Sequence, residues 1–261
     1  MGQYFVACDA GGTMTDVIVV DEEGQHVIGK APTSPNDESI GYMESLDEAM
    51  EYMGIDPQGK EGRRFGESIE TAIYTGTSML NTVINMSGLK TGLLVTKGFE
   101  DIIAQGRGSQ TFIGMQWSEI THMQYRKHRT PLVPREQARG ITERIDMFGT
   151  PVIPLYEHEV EQGARELLVD EECEAIAVVF LMSYTNPAHE ERAAQIVRRV
   201  MQEVGREVPL EISSEVAPTT REVSRANATV IQAYASHSAR EQLFRIEEEL
   251  QKIGYSHSLK T

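Results

Sequence analysis

The segment Asp9-Ala10-Gly11-Gly12-Thr13-Met14-Thr15-Asp16 limits the fold more than any other stretch, because of what flanks it. In a dinucleotide-binding βαβ unit the glycine-rich turn opens a helix. Here the turn opens Val17-Ile18-Val19-Val20, a β-branched run that favours a strand. With the apolar run Tyr4 to Cys8 before it, the segment reads as the tip of a β-hairpin. A polar turn, Asp21-Glu22-Glu23-Gly24, then leads to His26 to Ala31 as a third antiparallel strand, which departs from an ordinary Rossmann unit. A tip of glycine and threonine can aim backbone N–H groups and hydroxyls at a phosphate chain, and flanking carboxylates can hold a hydrated divalent cation. The competing reading is a tight turn whose glycines only supply positive φ.

The remaining pattern is α/β. Helical spacing marks Asn36 to Met53, Met79 to Met86, Glu157 to Val169, Pro187 to Gly205 and Ser224 to Ile253, and a short helical segment is expected over Gly98 to Ile103. Strands are expected at Ala72 to Tyr74, Thr91 to Thr96, Ala175 to Met182 and Pro209 to Ile212, with a loop at Gly54 to Gly66. Such alternation implies layered helices and sheet. Thr75-Gly76-Thr77-Ser78 falls between a strand and a helix, where it either receives an oxyanion on unpaired N–H groups and hydroxyls or simply caps the helix. Ser183 to Pro187 lies at another strand end before a helix, a usual place for ligand contacts and equally an ordinary helix start. From Gly106 to Pro154 periodicity fades. That stretch and its edge hold Gln105-Gly106-Arg107-Gly108, Trp117 and the basic run Arg126-Lys127-His128-Arg129, and a binding or subunit-contact role is expected of it.

Composition removes several function classes. A formal charge of -16 and a pI near 4.9 argue against a general nucleic-acid role, which needs a basic face, and the short basic run reads as a solvated patch. The longest apolar run, Ala175 to Met182, falls far short of the roughly 20 residues that span a bilayer, so no membrane role is expected. Cys8 and Cys173 each adjoin a strand-like run and read as buried reduced thiols, which suits a cytoplasmic setting. His122 and His128 lack a companion ligand at metal-site spacing. No nucleophile elbow or Cys–His arrangement stands out, so no catalytic residue is assigned.

Several separate stretches, in one order, resemble the N-terminal part of the hydantoinase A and 5-oxoprolinase family. Besides the hairpin they are Thr96-Lys97-Gly98-Phe99-Glu100-Asp101, Pro131-Leu132-Val133-Pro134-Arg135, Glu143-Arg144-Ile145-Asp146, Phe180-Leu181-Met182-Ser183-Tyr184, Asn186-Pro187-Ala188-His189-Glu190 and Ser213-Ser214-Glu215-Val216. Within the family, Met14, Tyr74 to Asn81 and Asp146 to Leu155 are most similar to the acetone carboxylase branch.

The resemblance implies an actin-like, ribonuclease-H-like ATPase lobe, with a mixed sheet, an N-terminal hairpin phosphate loop and flanking helices. Residues 1–261 would form the N-terminal lobe, with the second lobe lying outside them, so nucleotide binding by this part alone would be weak and turnover absent. Carried over residue by residue, Asp9 faces Mg²⁺, and Gly11, Gly12, Thr13 and Thr15 contact the phosphates of ATP. Asp16 supports the turn. Thr75, Gly76 and Thr77 join the nucleotide site as the Thr-Gly-Thr turn. The implied activity is ATP-dependent carboxylation of a ketone such as acetone, using bicarbonate and giving acetoacetate, with a hydantoinase-B-like carboxylase subunit and a small third subunit as partners. The alternatives are ATP-dependent opening of a cyclic amide and a non-catalytic assembly subunit.

Overall fold

The computed structural model describes residues 2–34, 36–105, 115–122 and 130–261. Gly106, Arg107, Gly108 and the basic run Arg126 to Arg129 lie outside the described residues. The chain forms two compact units, residues 1–85 with 237–261 and residues 86–236.

In the first unit, β1 (Tyr4–Ala10), β2 (Met14–Asp21) and β3 (His26–Pro32) form the expected antiparallel ribbon. Helix α1 (Glu38–Tyr52) follows, started by Asp37, whose carboxylate accepts from the Ser39 N–H at 3.1 Å. Then come α2 (Lys60–Ser68), β4 (Ile69–Gly76) and α3 (Ser78–Ile84). Strand β4 pairs parallel with β1, so the sheet order is β3-β2-β1-β4, a mixed sheet. Lys260 continues it beyond β4: its N–H donates to the Ala72 carbonyl at 2.9 Å and its carbonyl accepts from the Tyr74 N–H at 2.8 Å. One sheet face is buried and largely apolar. Val6, Cys8, Ala10, Val17, Val19, Ala72 and Tyr74 pack there with Tyr42, Leu46 and Met50 of α1. This unit has the mixed sheet, hairpin and flanking helices expected of an actin-like lobe.

In the second unit, β5 (Thr91–Thr96) leads to the short helices α4 (Ile102–Gln105) and α5 (Trp117–Thr121). Strands β6 (Ala138–Ile141), β7 (Arg144–Ile145) and β8 (Pro151–Ile153) precede α6 (Glu157–Arg165), which runs on into a π-helical turn at Glu166–Asp170. Strand β9 (Ala175–Val179), α7 (Ala188–Val204), β10 (Leu210–Ile212) and α8 (Ser213–Val216) follow. Helix α9 (Glu222–Lys252) belongs to this unit through residue 236 and to the first unit thereafter. Strands β10, β9, β5 and β6 lie in that order, all parallel. As expected of a parallel sheet, both faces are buried: α6 and α7 cover Leu94, Ile176 and Val178, and Ala226, Val230 and Ala233 of α9 cover Leu93, Val95 and Ala177.

Three expectations need correction. The loop over Gly54 to Gly66 contains the first turns of α2, whose glycines are set by close packing: a Cβ on Gly66 would lie 2.1 Å from the Ile253 carbonyl oxygen. The strand expected to reach Met182 stops at Val179. There the Phe180 N–H donates to Glu190 at 2.7 Å and the Leu181 N–H to the Thr96 hydroxyl at 2.9 Å, which takes the backbone out of the ladder. The stretch expected to be irregular up to Pro154 contains β6, β7 and β8, each too short to show a period.

The seam between β3 and α1 leaves no room for a side chain at Gly29. A Cβ on Gly29 would sit 1.9 Å from the Ser45 carbonyl oxygen and 2.7 Å from the Ala49 nitrogen, both backbone atoms that cannot swing aside. Gly29→Ala is therefore expected to destabilise the chain by about 1–3 kcal/mol. Urea denaturation followed by circular dichroism checks this against Gly2→Ala, where a Cβ meets nothing within 4 Å.

Candidate functional site

The register of β1 assembles the site. Asp9 is opposite Asp16 on β2 and opposite Thr75 on β4, while Ala10 is opposite Gly76. Because side chains alternate along a strand, Asp9 and Thr75 share the open face while Cys8 and Tyr74 share the buried one. The Thr75 hydroxyl bonds to the Cys8 carbonyl at 2.9 Å and approaches an Asp9 carboxylate oxygen at 3.3 Å. The Thr77 N–H reaches the Ala10 carbonyl at 3.4 Å. Two turns far apart in sequence are thus brought together at the same ends of neighbouring strands.

The hairpin turn is Gly11, Gly12 and Thr13, closed by the Gly11 N–H donating to the Met14 carbonyl at 3.0 Å. Thr33 braces it from β3's end: its hydroxyl donates to the Gly11 carbonyl at 2.8 Å and its N–H to the Thr13 carbonyl at 3.0 Å. Neither glycine has positive φ, which removes the reading in which they only supply a left-handed turn. Gly12 is exposed, and a Cβ there would find its nearest neighbour, Asn81 Nδ2, at 3.9 Å. The protein's own packing therefore leaves room for a side chain at Gly12. Asn81 on α3 also donates to the Thr77 hydroxyl at 3.3 Å, which ties α3 to the Thr-Gly-Thr turn.

Asp9, Gly12, Thr13, Thr75, Gly76 and Thr77 are all exposed around this mouth, and Gly11 is half-buried in the turn. Thr15 has a different place from the one expected. It is fully buried, its hydroxyl is 2.9 Å from that of Thr33, and its carbonyl accepts from Ser45 on α1 at 2.9 Å. Its role is to anchor the hairpin to α1. Asp16 pairs with Lys30 at 2.8 Å, in keeping with a supporting part. Thr77 stands at the N-cap of α3 without a side-chain capping bond, so its hydroxyl is not spent on the helix start. Thr33 and Asn81 also border the candidate site and were not singled out from sequence: isolated hydroxyls and amides carry no period, and only the pairing of β2 with β3 brings in Thr33 and that of β1 with β4 brings in Asn81.

Below the mouth lie a buried phenol, Tyr74, and a buried thiol, Cys8. Tyr74 donates its hydroxyl to Glu38 at the start of α1, and burial together with that carboxylate pushes its pKa up. Burial, reinforced by Asp9, Glu38 and Asp16, pushes the Cys8 thiol up to about 12. Among the described residues no group of three or more His, Cys, Asp or Glu is placed to hold a metal ion by itself. Mg²⁺ commonly takes one or two carboxylates and completes its shell with water and substrate phosphate, so exposed Asp9 beside the glycine turn fits that donor set.

The family description "Hydantoinase/oxoprolinase N-terminal region" matches residues 5–201. The chain belongs to the hydantoinase/oxoprolinase family. As a family member it is 36% identical over 246 residues to the acetone carboxylase beta subunit of Xanthobacter autotrophicus, covering 94% of this chain and 34% of that protein. It is 34% identical over 249 residues to the acetophenone carboxylase gamma subunit of Aromatoleum aromaticum, covering 95% of this chain and 33% of that protein. Among solved structures, nucleotide-free acetone carboxylase superposes with a TM-score of 0.88 at 34% identity, over 97% of this chain and 35% of that one. The ATP-dependent caprolactamase of Pseudomonas jessenii superposes with a TM-score of 0.81 at 29% identity, over 98% and 35%. This hydantoinase/oxoprolinase chain thus spans about a third of the length of the curated relatives it matches. No helix among its described residues is long and apolar enough to cross a membrane.

Cys8 lies directly beneath Asp9, and its thiol titration reports on whether the sheet is closed. Both Cys8 and Cys173, the latter raised to about 11 by burial, are expected to stay protonated at pH 8 and resist alkylation by iodoacetamide in the native chain. Both should react rapidly in denaturant, as mass spectrometry of the alkylated peptides will read.

Proposed function

We propose that the chain is the ATP-binding part of an ATP-dependent ketone carboxylase subunit. The observation that carries this is Gly12: exposed at the hairpin tip, without positive φ and without a neighbour that would exclude a Cβ, it leaves the backbone open to close approach by a phosphate. The Gly11–Thr13 turn offers N–H groups and the Thr13 hydroxyl, and the Thr75–Thr77 turn offers its hydroxyls from the adjacent strand end. Asp9 would hold Mg²⁺, which when bound offsets negative charge on the transferred phosphoryl group. Thr15, Thr33 and Ser45 keep the turn in place from behind, so little ordering is needed when the ligand arrives.

Acetone carboxylase and acetophenone carboxylase are named among the relatives, which supports a ketone as the group activated. Phosphorylation of the enol oxygen traps the reactive tautomer, and phosphorylation of bicarbonate gives carboxyl transfer a leaving group; carbon–carbon bond formation then yields a β-keto acid. These steps belong to the whole assembly, with a hydantoinase-B-like partner subunit providing the carboxylation site and a small third subunit completing the complex. The likeness to caprolactamase supports a second reading, in which the same phosphoryl transfer activates the oxygen of a cyclic amide. ATP consumption by the complete complex, given acetone with bicarbonate in one arm and a lactam in the other, separates the two.

The site itself is tested by titrating the purified chain with MgATP by calorimetry. Weak binding is expected, and Gly12→Val and Asp9→Asn should each weaken it tenfold or more, roughly 1.4 kcal/mol. Since both positions are exposed, the circular dichroism spectrum should not change. Wild-type affinity retained in both variants would remove the hairpin from the nucleotide site.

A further inference from the structure

The second unit holds a pocket at a place that parallel α/β sheets reserve for ligands. Strand β5 has β6, its successor in sequence, on one side and β9 on the other, so the winding reverses between β5 and β9. Outside the carboxyl ends of strands at such a reversal, two loops turn away from each other and leave a crevice. A pocket of about 340 Å³ lies there, lined by Gly98 and Phe99 after β5, by Leu181 and Met182 after β9, and by Arg144 of β7 and the first turn of α9. That volume suits a small molecule.

Three features argue that the pocket is built to receive something. Arg144 is half-buried on its wall, and its guanidinium has no carboxylate or carbonyl partner among the described residues. A guanidinium offers a planar fork that matches a carboxylate in two hydrogen bonds. Met182 is one of the few non-glycine residues with positive φ, at 58°, and the turn that holds it there is fixed by the Thr185 N–H donating to the Met182 carbonyl at 2.9 Å. The wall behind it is rigid: the Leu181 N–H is held by Thr96, and Thr96 in turn by buried Glu143 beside Arg144.

The lining sets the ligand's charge and shape. Asp101 is paired with Arg135 at 3.4 Å, so its charge is already offset. Glu222 in the first turn of α9 adds a carboxylate to the lining, so the charge of Arg144 can offset one ligand carboxylate and not two. Phe99, Leu181, Met182 and Val223 provide apolar walls. We propose that this pocket binds a small monocarboxylate, its carboxylate on Arg144 and its short hydrocarbon part against Phe99, Leu181, Met182 and Val223. The proposal is independent of the nucleotide reading, because every lining residue belongs to the second unit and the test contains no ATP.

Titration of the purified chain with sodium butyrate, followed by calorimetry and by chemical-shift changes, tests it. Saturable binding is expected, weakened at least tenfold by Arg144→Gln and by Val223→Trp, which fills the pocket, and only partly restored in Arg144→Lys. Neutral 2-pentanone and doubly charged succinate should each bind the wild-type chain at least tenfold more weakly than butyrate. Circular dichroism confirms folding of each variant, and if a variant fails to fold, the ranking of the three compounds on the wild-type chain decides. Absence of saturable butyrate binding, equal binding of 2-pentanone, or unchanged affinity in folded Arg144→Gln would overturn the assignment.

Discussion

Everything at the candidate nucleotide site depends on the register of one strand. Strand β1 is paired on both sides, antiparallel with β2 and parallel with β4, and the same residue, Asp9, meets Asp16 across one ladder and Thr75 across the other. A slip of one residue would exchange the two faces, burying Asp9 and exposing Cys8. The apolar face prevents that slip, since Val6, Cys8 and Ala10 are seated with Tyr42, Leu46 and Met50. Hydrophobic burial beneath the sheet thereby fixes a polar arrangement above it, and the hydroxyl bonds of Thr33 and Ser45 set the last detail of the turn.

Much of this was legible in the sequence because the hairpin obeys local rules. The β-branched run Val17 to Val20 and the Gly-Gly pair between two apolar runs suffice for the ribbon, and the apolar residues within Thr91 to Thr96 and Ala175 to Met182 suffice for buried parallel strands, though the second ends early. What failed had long-range causes. Helix α2 contains Gly62 and Gly66, which argue against a helix locally, yet both lie where a Cβ would collide with backbone of Pro57 or Ile253. Thr15 reads like Thr13 in the motif, but Thr13 lies in the exposed turn before β2, while Thr15 falls inside β2 on the face that packs against α1. The pocket escapes a sequence reading because its residues come from separate stretches, and Arg144 and Met182 meet only once β5, β7 and β9 are in place.

The second unit shows how a parallel sheet handles polar groups at its strand ends. Glu190 and Arg225 are both fully buried, an arrangement that is costly unless every bond is made. Glu190 accepts from the Phe180 N–H, the Ser213 hydroxyl and the Ser214 N–H, while Arg225 donates to Ser213, Thr219 and the Phe180 carbonyl and lies 5.5 Å from the Tyr184 ring centroid. Ser213 links the two ions. The network holds the end of β9 and the start of α8 in fixed relation, and the turn carrying Leu181 and Met182 departs from the same Phe180.

The two aspartates of the hairpin illustrate why identical residues in one motif acquire different work. Directly opposed like charges on neighbouring strands are unfavourable, so the pair Asp9 and Asp16 needs compensation. Lys30, the cross-strand partner of Asp16 on β3, provides it on one side at 2.8 Å. Among the described residues Asp9 receives only a hydroxyl, that of Thr75 at 3.3 Å, and it is exposed at the open ends of the strands. One carboxylate is thus paired with a lysine by the fold, and the other stands at the rim of a glycine turn. In the proposed complex, a cation beside Asp9 would relieve the remaining like-charge repulsion as well as bind phosphate.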